Sequence, residues 1–374
     1  MIRPSATTHG LAAVIGILLA ASLACNLRLV PPPEMGGEEE GALTTPVTGT
    51  PADCVPTLPR EGPVTDPYAT VVEPFDLVAP SGNRIYGLIR RPDLALHPGL
   101  CFPAVVLVPG GINPGRMSAE GDEARLLAEA GMVVLSFNAE GRVAEVPGDI
   151  ASEGTEDYNG YRHQDGLCEV VKYAMKLGYV IADNVGIKTH SYGITMGAGC
   201  AGRHPEVPIK YLVDEEGPSN SFVTCHEPLA LDGDPSNDKH EFVHESMGHY
   251  STYRDPSPEN QAFWEKREAE RFIGAFRDRY LRLQARWDHV QPPRSEAEIP
   301  TFHQPPLWWR NKHATDMVNA AVAGGVPWVR VNLPEHGNPV NATYDIDHHP
   351  VYLPGKLADQ PWGVRAVLEM ARME

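Results

Sequence analysis

The stretch VGIKTHSYGITMGAGCAG, residues 185–202, decides how the rest of the chain is read. Val185 to Lys188 lead a strand, and Thr195 to Gly202 read as a helix rich in small residues. Ser191 sits on the turn between them. A serine hydroxyl is a poor nucleophile until a neighbouring base takes its proton and a third group orients that base. A sharp strand-to-helix turn exposes the hydroxyl to such a base, and it closes only when the residues two before and two after are small. Gly193 satisfies the second requirement, whereas Thr189 stands where a glycine is usual.

Working outward, elements of two periods alternate. Upstream, 71–78 and 84–90 form a hairpin around Ser81-Gly82-Asn83. Ala104 to Val108 is a continuous apolar run of a strand buried on both faces, and Pro109-Gly110-Gly111 follows as a turn. A helix is expected over 120–130, a strand over 132–137 and a helix over 165–177. Downstream, 210–213 is a strand, and 217–257 is polar and rich in Asp, His, Pro and Ser. Ser257-Pro258 starts a helix with a capping serine and a proline at its first position, with a stripe of Phe263, Ala269, Phe272, Ile273 and Phe276. A strand over 280–287, a helix over 312–323, a strand over 328–333 and a helix over 361–373 complete the pattern. Strands alternating with helices imply an α/β fold, a mostly parallel, doubly wound sheet covered on both faces.

His190-Ser191-Tyr192-Gly193 resembles the nucleophile elbow of α/β-hydrolases. The segment IYGLIRRPDLALHPGLCFPAVVLVPGG, 85–111, resembles the entry to the dienelactone-hydrolase-like and prolyl-oligopeptidase-like branches of that superfamily. The resemblance implies an α/β-hydrolase fold over 67–374 with an inserted cap at 217–279, and a Ser-His-Asp triad. It assigns the nucleophile to Ser191, the acid to Asp288 after the strand that follows the cap, and the base to His336 in Leu333-Pro-Glu-His-Gly337. Asp214, Glu215 and Glu216 are alternative acids, because some members place the acid after the preceding strand. Oxyanion donors are expected from Tyr192 and from the turn at Gly110, Gly111 and Ile112. The implied activity is hydrolysis of a carboxylic ester, or of a peptide or amide on the same triad, with no cofactor.

Other motifs compete. His240-Glu241-Phe242-Val243-His244 is formally HExxH, which on a helix would hold zinc and supply a base for a metallopeptidase. The positions of Gly248 and His249 miss the extended form of that motif by one residue each, and the surroundings lack a zincin's elements. No metal is therefore assigned. Asp232-Gly-Asp-Pro-Ser-Asn-Asp238 has the early spacing of a calcium loop without its central glycine or closing glutamate. His348 and His349 lie beyond any strand end, and Trp308-Trp309 fall in an insertion where aromatics could meet substrate. A non-catalytic binding protein on the same fold is the remaining class.

A formal charge of −18 on 374 residues repels phosphate backbones, and no basic cluster offsets it, so nucleic acid is excluded as a partner. The expected partner is a small ester or short peptide. Arg3 followed by the apolar run 11–24 reads as a signal peptide over 1–25. Ser22-Leu-Ala-Cys25 resembles a bacterial lipobox, which implies a lipid on Cys25 as the one membrane contact and a location at the cell envelope, otherwise periplasmic or secreted. Residues 26–66, rich in Pro, Gly, Glu and Thr, read as a disordered tether. Export permits disulfides. Cys54 with Cys101 would tie the extension to the domain, and the other cysteines read mainly as buried small hydrophobes.

Overall fold

The computed structural model describes residues 54–61, 64–220, 257–289, 296, 308–337, 339–344, 353–357 and 360–373, all within the unit Leu43–Glu374. The signal segment 1–25 with Cys25, most of the tether, the 232–238 loop, HEFVH at 240–244, and His348 and His349 lie outside the described residues.

In chain order the elements are β1 (Val55–Pro56), β2 (Thr70–Val78), β3 (Arg84–Pro92), β4 (Leu100–Val108), a 3₁₀ turn (Arg116–Glu120), α1 (Asp122–Glu129), β5 (Val133–Phe137) and α2 (Tyr161–Met175). There follow β6 (Val180–His190), α3 (Gly193–Arg203), β7 (Tyr211–Glu215), α4 (Pro258–Glu265), α5 (Ala269–Ile273), β8 (Arg279–Leu283), α6 (Trp308–Ala323), β9 (Trp328–Val331) and α7 (Trp362–Arg372). The main sheet runs β2-β3-β5-β4-β6-β7-β8-β9, and β1 pairs with the start of β4. From β5 to β9 every neighbour is parallel, and only β3 runs against the rest, pairing antiparallel with both β2 and β5.

Alternation along the strands splits the core in two. Ala104, Val106 and Val108 of β4 join α2, α3, α5 and α6 on one face, while Val105 and Leu107 join α1 and α7 on the other. Successive strand side chains point to opposite faces, so a strand covered twice must be apolar throughout, as β4 and β5 are. Register then sets the working edge. Val108 pairs with Thr189, and His190 pairs with Glu215, so the ends of β4, β6 and β7 lie side by side. Open parallel sheets place their sites at this carboxyl edge.

Five boundaries differ from the sequence reading. The tether stops short of 66: Val55–Pro56 pairs in parallel with Leu100–Cys101, Thr57 Oγ1 donates to the Cys101 carbonyl at 2.8 Å, and a Cys54–Cys101 disulfide fastens the segment. The helix begun at Ser257 does have its serine cap, with Oγ accepting from Asn260 N–H, but it breaks into α4 and α5. The Arg267 guanidinium takes the Phe263 carbonyl that the next helical N–H would have used. The end of the expected 217–279 cap belongs to the domain, because Ala269, Ile273 and Phe276 are buried in the larger core cluster. Trp308 and Trp309 open α6 and so lie in a helix, not in an insertion loop, and β8 stops at Leu283 because Gln284 N–H and Ala285 N–H donate to the side chains of Asn332 and Glu216.

A second bridge, Cys168–Cys200, joins α2 to α3. Both of its cysteines are buried, as expected of small hydrophobes, but they are cross-linked.

Candidate active site

Ser191 lies between the last residue of β6 and the start of α3 with φ of 49°, in the left-handed region that a serine rarely adopts. The strain is held from three sides. Ser191 N–H donates to the Glu215 carbonyl at 2.8 Å, and Ile194 N–H bonds back to the Ser191 carbonyl at 3.1 Å. On the third side the β4 turn presses in so closely that a Cβ on Gly110 would lie 3.0 Å from Ser191 Cβ and 2.8 Å from His190 Cδ2. Gly193 is needed for the same reason, since a Cβ there would meet the Pro109 carbonyl at 2.4 Å. In both places a neighbouring side chain or carbonyl leaves no room for a Cβ, which is why glycine is required.

Thr189, the departure from the usual motif, is fully buried. Its Cγ2 methyl occupies the space over Gly197, where an added Cβ would come within 2.4 Å of it. The glycine missing from the strand is thus matched by one on the helix.

The turn 110–112 packs against the elbow, with Gly110 on the side chains of His190 and Ser191. Asn113 holds the Gly110 carbonyl through its Nδ2 at 2.7 Å and its own N–H at 3.3 Å. A trans peptide points its C=O and N–H in opposite directions, so the Gly111 N–H is turned away from Asn113. Among the described residues neither the Gly111 nor the Ile112 N–H has an acceptor.

The candidate acids separate by partner. Asp214 is fully buried and accepts from Arg282 Nη1 at 2.8 Å, Tyr280 OH at 2.7 Å and Gly217 N–H at 3.0 Å, so its carboxylate is committed to the fold. Glu215 packs against the buried Lys188 ammonium, which also meets Glu123 at 2.9 Å, and lies 3.6 Å from His190 Nδ1. Burial opposes ionisation of Glu215, but Lys188 and His190 outweigh it and hold the carboxyl down to about 2.

Glu216, next in the chain and also left-handed at φ 51°, turns toward β8. Its Oε2 meets His289 Nδ1 at 2.8 Å, and its Oε1 accepts from Ala285 N–H at 3.1 Å. Asp288, 1% exposed, accepts from Gln284 Nε2 at 3.2 Å and lies 3.4 Å from His289 Nδ1. Burial, with the Asp288 charge close by, pushes Glu216 up to about 7. Burial favours the neutral form of His289, but the bond to Glu216 and the Asp288 charge outweigh it and raise that ring. Glu216 and His289 therefore hold their protons more tightly than the same groups apart.

Ser191, Asp288 and His336 follow β6, β8 and β9 in the expected order. Among the described residues the imidazole that Asp288 meets is His289, whose ring lies 4.6 Å from that of His190, the neighbour of Ser191. His336 is half-buried and meets the Trp362 ring edge-on at 5.8 Å. His289 was not singled out from sequence, although its place directly after Asp288 at a strand end was the available signal. Glu216, Asp288 and His289 also form a trio whose donor atoms lie within 4.8 Å of one another, so they are the described residues that could hold a cation.

No family model and no curated protein matches the sequence. Solved structures do. The chain is similar to a hyperthermophilic esterase from Pyrobaculum calidifontis, with 15% identity, a TM-score of 0.50, and 82% of this chain against 84% of that one. It is similar to a puromycin-hydrolyzing peptidase of Mycobacterium tuberculosis, with 15% identity, a TM-score of 0.51, and 82% of this chain against 39% of that one. Dipeptidyl peptidase 4 of Porphyromonas gingivalis gives 15% identity, a TM-score of 0.47, and 70% of this chain against 31% of that one. The chain spans less than half the length of either peptidase. Strand order, the strained serine after β6 and the two neighbours with TM-scores of 0.50 and 0.51 agree: the chain has the α/β-hydrolase fold.

Proposed function

We propose that the protein is an exported serine hydrolase that cleaves carboxylic esters through an acyl-enzyme, with Ser191 as nucleophile. The observation that carries this reading is the left-handed Ser191 at the β6–α3 turn, with Gly110 packed on its Cβ. Backbone strain of this kind persists only where surroundings enforce it, and it lifts the hydroxyl clear of both elements. His336 takes the Ser191 proton as Oγ attacks the ester carbonyl carbon, and Asp288 orients the imidazole. Tyr192 N–H and the N–H groups of Gly110, Gly111 and Ile112 are the donors for the oxyanion. His336 then protonates the departing alkoxide, and water releases the acid by the same steps in reverse order.

A specific contact favours a second arrangement of the same chemistry. His289 bonds Glu216 at 2.8 Å and stands beside His190, so it can take the base role with Glu216 as the acid. The two arrangements separate by substitution. His336→Ala is expected to lower kcat by roughly 10³-fold or more while His289→Ala leaves most activity, and the reverse result assigns the base to His289.

The esterase neighbour, matched along 84% of its own length, supports an ester as the substrate. The substrate is a small ester, with a short peptide as the alternative, and nucleic acid is no partner of so acidic a chain. Two disulfides support an oxidising compartment. With the leader at 1–25, they fit export to the cell envelope, where a lipid on Cys25 supplies the only membrane contact.

Fluorophosphonate labelling tests the reading, with turnover of short- and long-chain nitrophenyl esters and of peptide amides. An adduct on Ser191 with ester turnover is the expected result. No adduct in folded protein points to a binding protein, and activity lost to a chelator but not to the phosphonate points to zinc at 240–244.

A further inference from the structure

We infer that Asn159 is the positioning residue of the oxyanion hole, clamping its two walls through the carbonyls of Gly111 and Tyr192. The inference rests on the serine-hydrolase reading above.

Asn159 lies in the loop between β5 and α2, fully buried, with φ of 63°. Its side-chain amide has one possible orientation. Arg142 Nη2 lies 2.8 Å from Oδ1, and a guanidinium only donates, so the oxygen must face it. The Nδ2 hydrogens then point the other way, one to the Gly111 carbonyl at 3.2 Å and one to the Tyr192 carbonyl at 3.0 Å. Both donor hydrogens are used, and the two acceptors belong to different parts of the chain: the turn after β4 and the elbow after β6.

Those carbonyls matter because of what shares their peptides. The Gly111 carbonyl and the Ile112 N–H lie in one trans plane and point in opposite directions, so a bond to the first aims the second. The Tyr192 carbonyl fixes the peptide on one side of Tyr192, and the bond from Ile194 N–H to the Ser191 carbonyl fixes the peptide on the other. Asn113 alone would anchor only the Gly110–Gly111 peptide. Preorganised donors are effective because they need no rearrangement when charge develops, and a single side chain bonded to both walls supplies that rigidity.

The loop is built to hold Asn159 in place. Tyr158 and Asn159 are consecutive left-handed residues, at φ 48° and 63°, an arrangement that persists only if over-determined. Tyr158 N–H donates to Glu156 at 2.7 Å, and the Arg267 guanidinium holds the Tyr158 carbonyl at 3.0 Å. Asn159 N–H meets His163 Nδ1 at 3.3 Å, and burial and the Arg142 charge keep that ring neutral, with its pKa down at about 3. A neutral ring nitrogen can accept where an imidazolium could not.

The test uses two variants of the full-length protein with p-nitrophenyl acetate as substrate and an aryl trifluoromethyl ketone as oxyanion-forming inhibitor. Asn159→Asp keeps the shape and the Arg142-facing oxygen but loses the donor. Asn159→Gly loses the side chain and relieves the left-handed backbone, so it folds even where the first does not. Both are expected to lose roughly 10- to 100-fold in kcat, with KM changed by less than about 2-fold and a parallel loss of ketone affinity. A folded Asn159→Gly with kcat and ketone affinity within about 2-fold of wild type overturns the inference, as does a loss confined to KM. Failure of the underlying reading looks different: wild type itself takes no fluorophosphonate at Ser191, and Ser191→Ala retains full turnover.

Discussion

The substitution of Thr189 for the elbow's first glycine should be reversible by moving one methyl group. Thr189→Ser deletes Cγ2 from a fully buried site, and Gly197→Ala adds a carbon 2.4 Å from where that methyl stood and 3.3 Å from Leu212 Cδ1. Alone, Gly197→Ala should cost ~1–3 kcal/mol in overpacking, less ~1 kcal/mol gained in helix propensity. Thr189→Ser alone should cost ~1 kcal/mol for the lost methyl and the void. Together the volume is conserved, the clash is absent and the propensity gain remains, so the double variant should match wild type to within ~1 kcal/mol. The coupling of ~1–3 kcal/mol is the informative quantity, because helix propensity cancels in the cycle. Urea unfolding followed by tryptophan fluorescence measures it, provided the four m-values agree. Fluorophosphonate labelling of Ser191, two residues from Thr189, should slow in Gly197→Ala and recover in the double variant. Additivity within ~0.5 kcal/mol would refute the idea that helix and strand trade this space.

Three further expectations concern charge and cross-links. Glu216 ionises near pH 7 in the folded state against an ordinary 4.5, so its contribution is complete below pH 4.5 and lost as pH rises through 7. Unfolding at pH 4, 6 and 8 should show Glu216→Gln gaining on wild type by up to ~3 kcal/mol across that window, and a pH-independent difference would contradict the assignment. Lys188→Met leaves Glu215 buried without its ammonium and should cost ~3–5 kcal/mol at pH 7, whereas a loss under ~1 kcal/mol would show the pair to be solvated. Without reductant, iodoacetamide should leave Cys54, Cys101, Cys168 and Cys200 unmodified in denatured protein. The bridges span 47 and 32 residues, so reduction should lower stability by at most ~4 kcal/mol for each, read as a shift in urea midpoint.

Much of the architecture was legible because the signals are local. The apolar run at 104–108, the glycines after it and the small residues after Ser191 each reflect what a neighbouring backbone leaves room for. Boundaries failed where contacts to distant chain intervened: Arg267, anchored to the Tyr158 and Asp157 carbonyls, captures the Phe263 carbonyl and breaks a helix whose apolar stripe continues, and Glu216 with Asn332 ends a strand whose alternation runs on.

By itself, then, the sequence determined the parallel sheet, the order of its elements and the turn that lifts Ser191, since periodicity and residue size act over a few positions. Only the tertiary structure decided which charged and polar groups meet. Asp214, Glu215 and Glu216 are consecutive, yet one is committed to Arg282, one to Lys188 and one to His289, because alternation sends neighbours to opposite faces and register chooses their partners. Asn159 likewise reaches Gly111 and Tyr192 across 48 and 33 residues of chain, a meeting set by how the sheet brings the ends of β4 and β6 side by side.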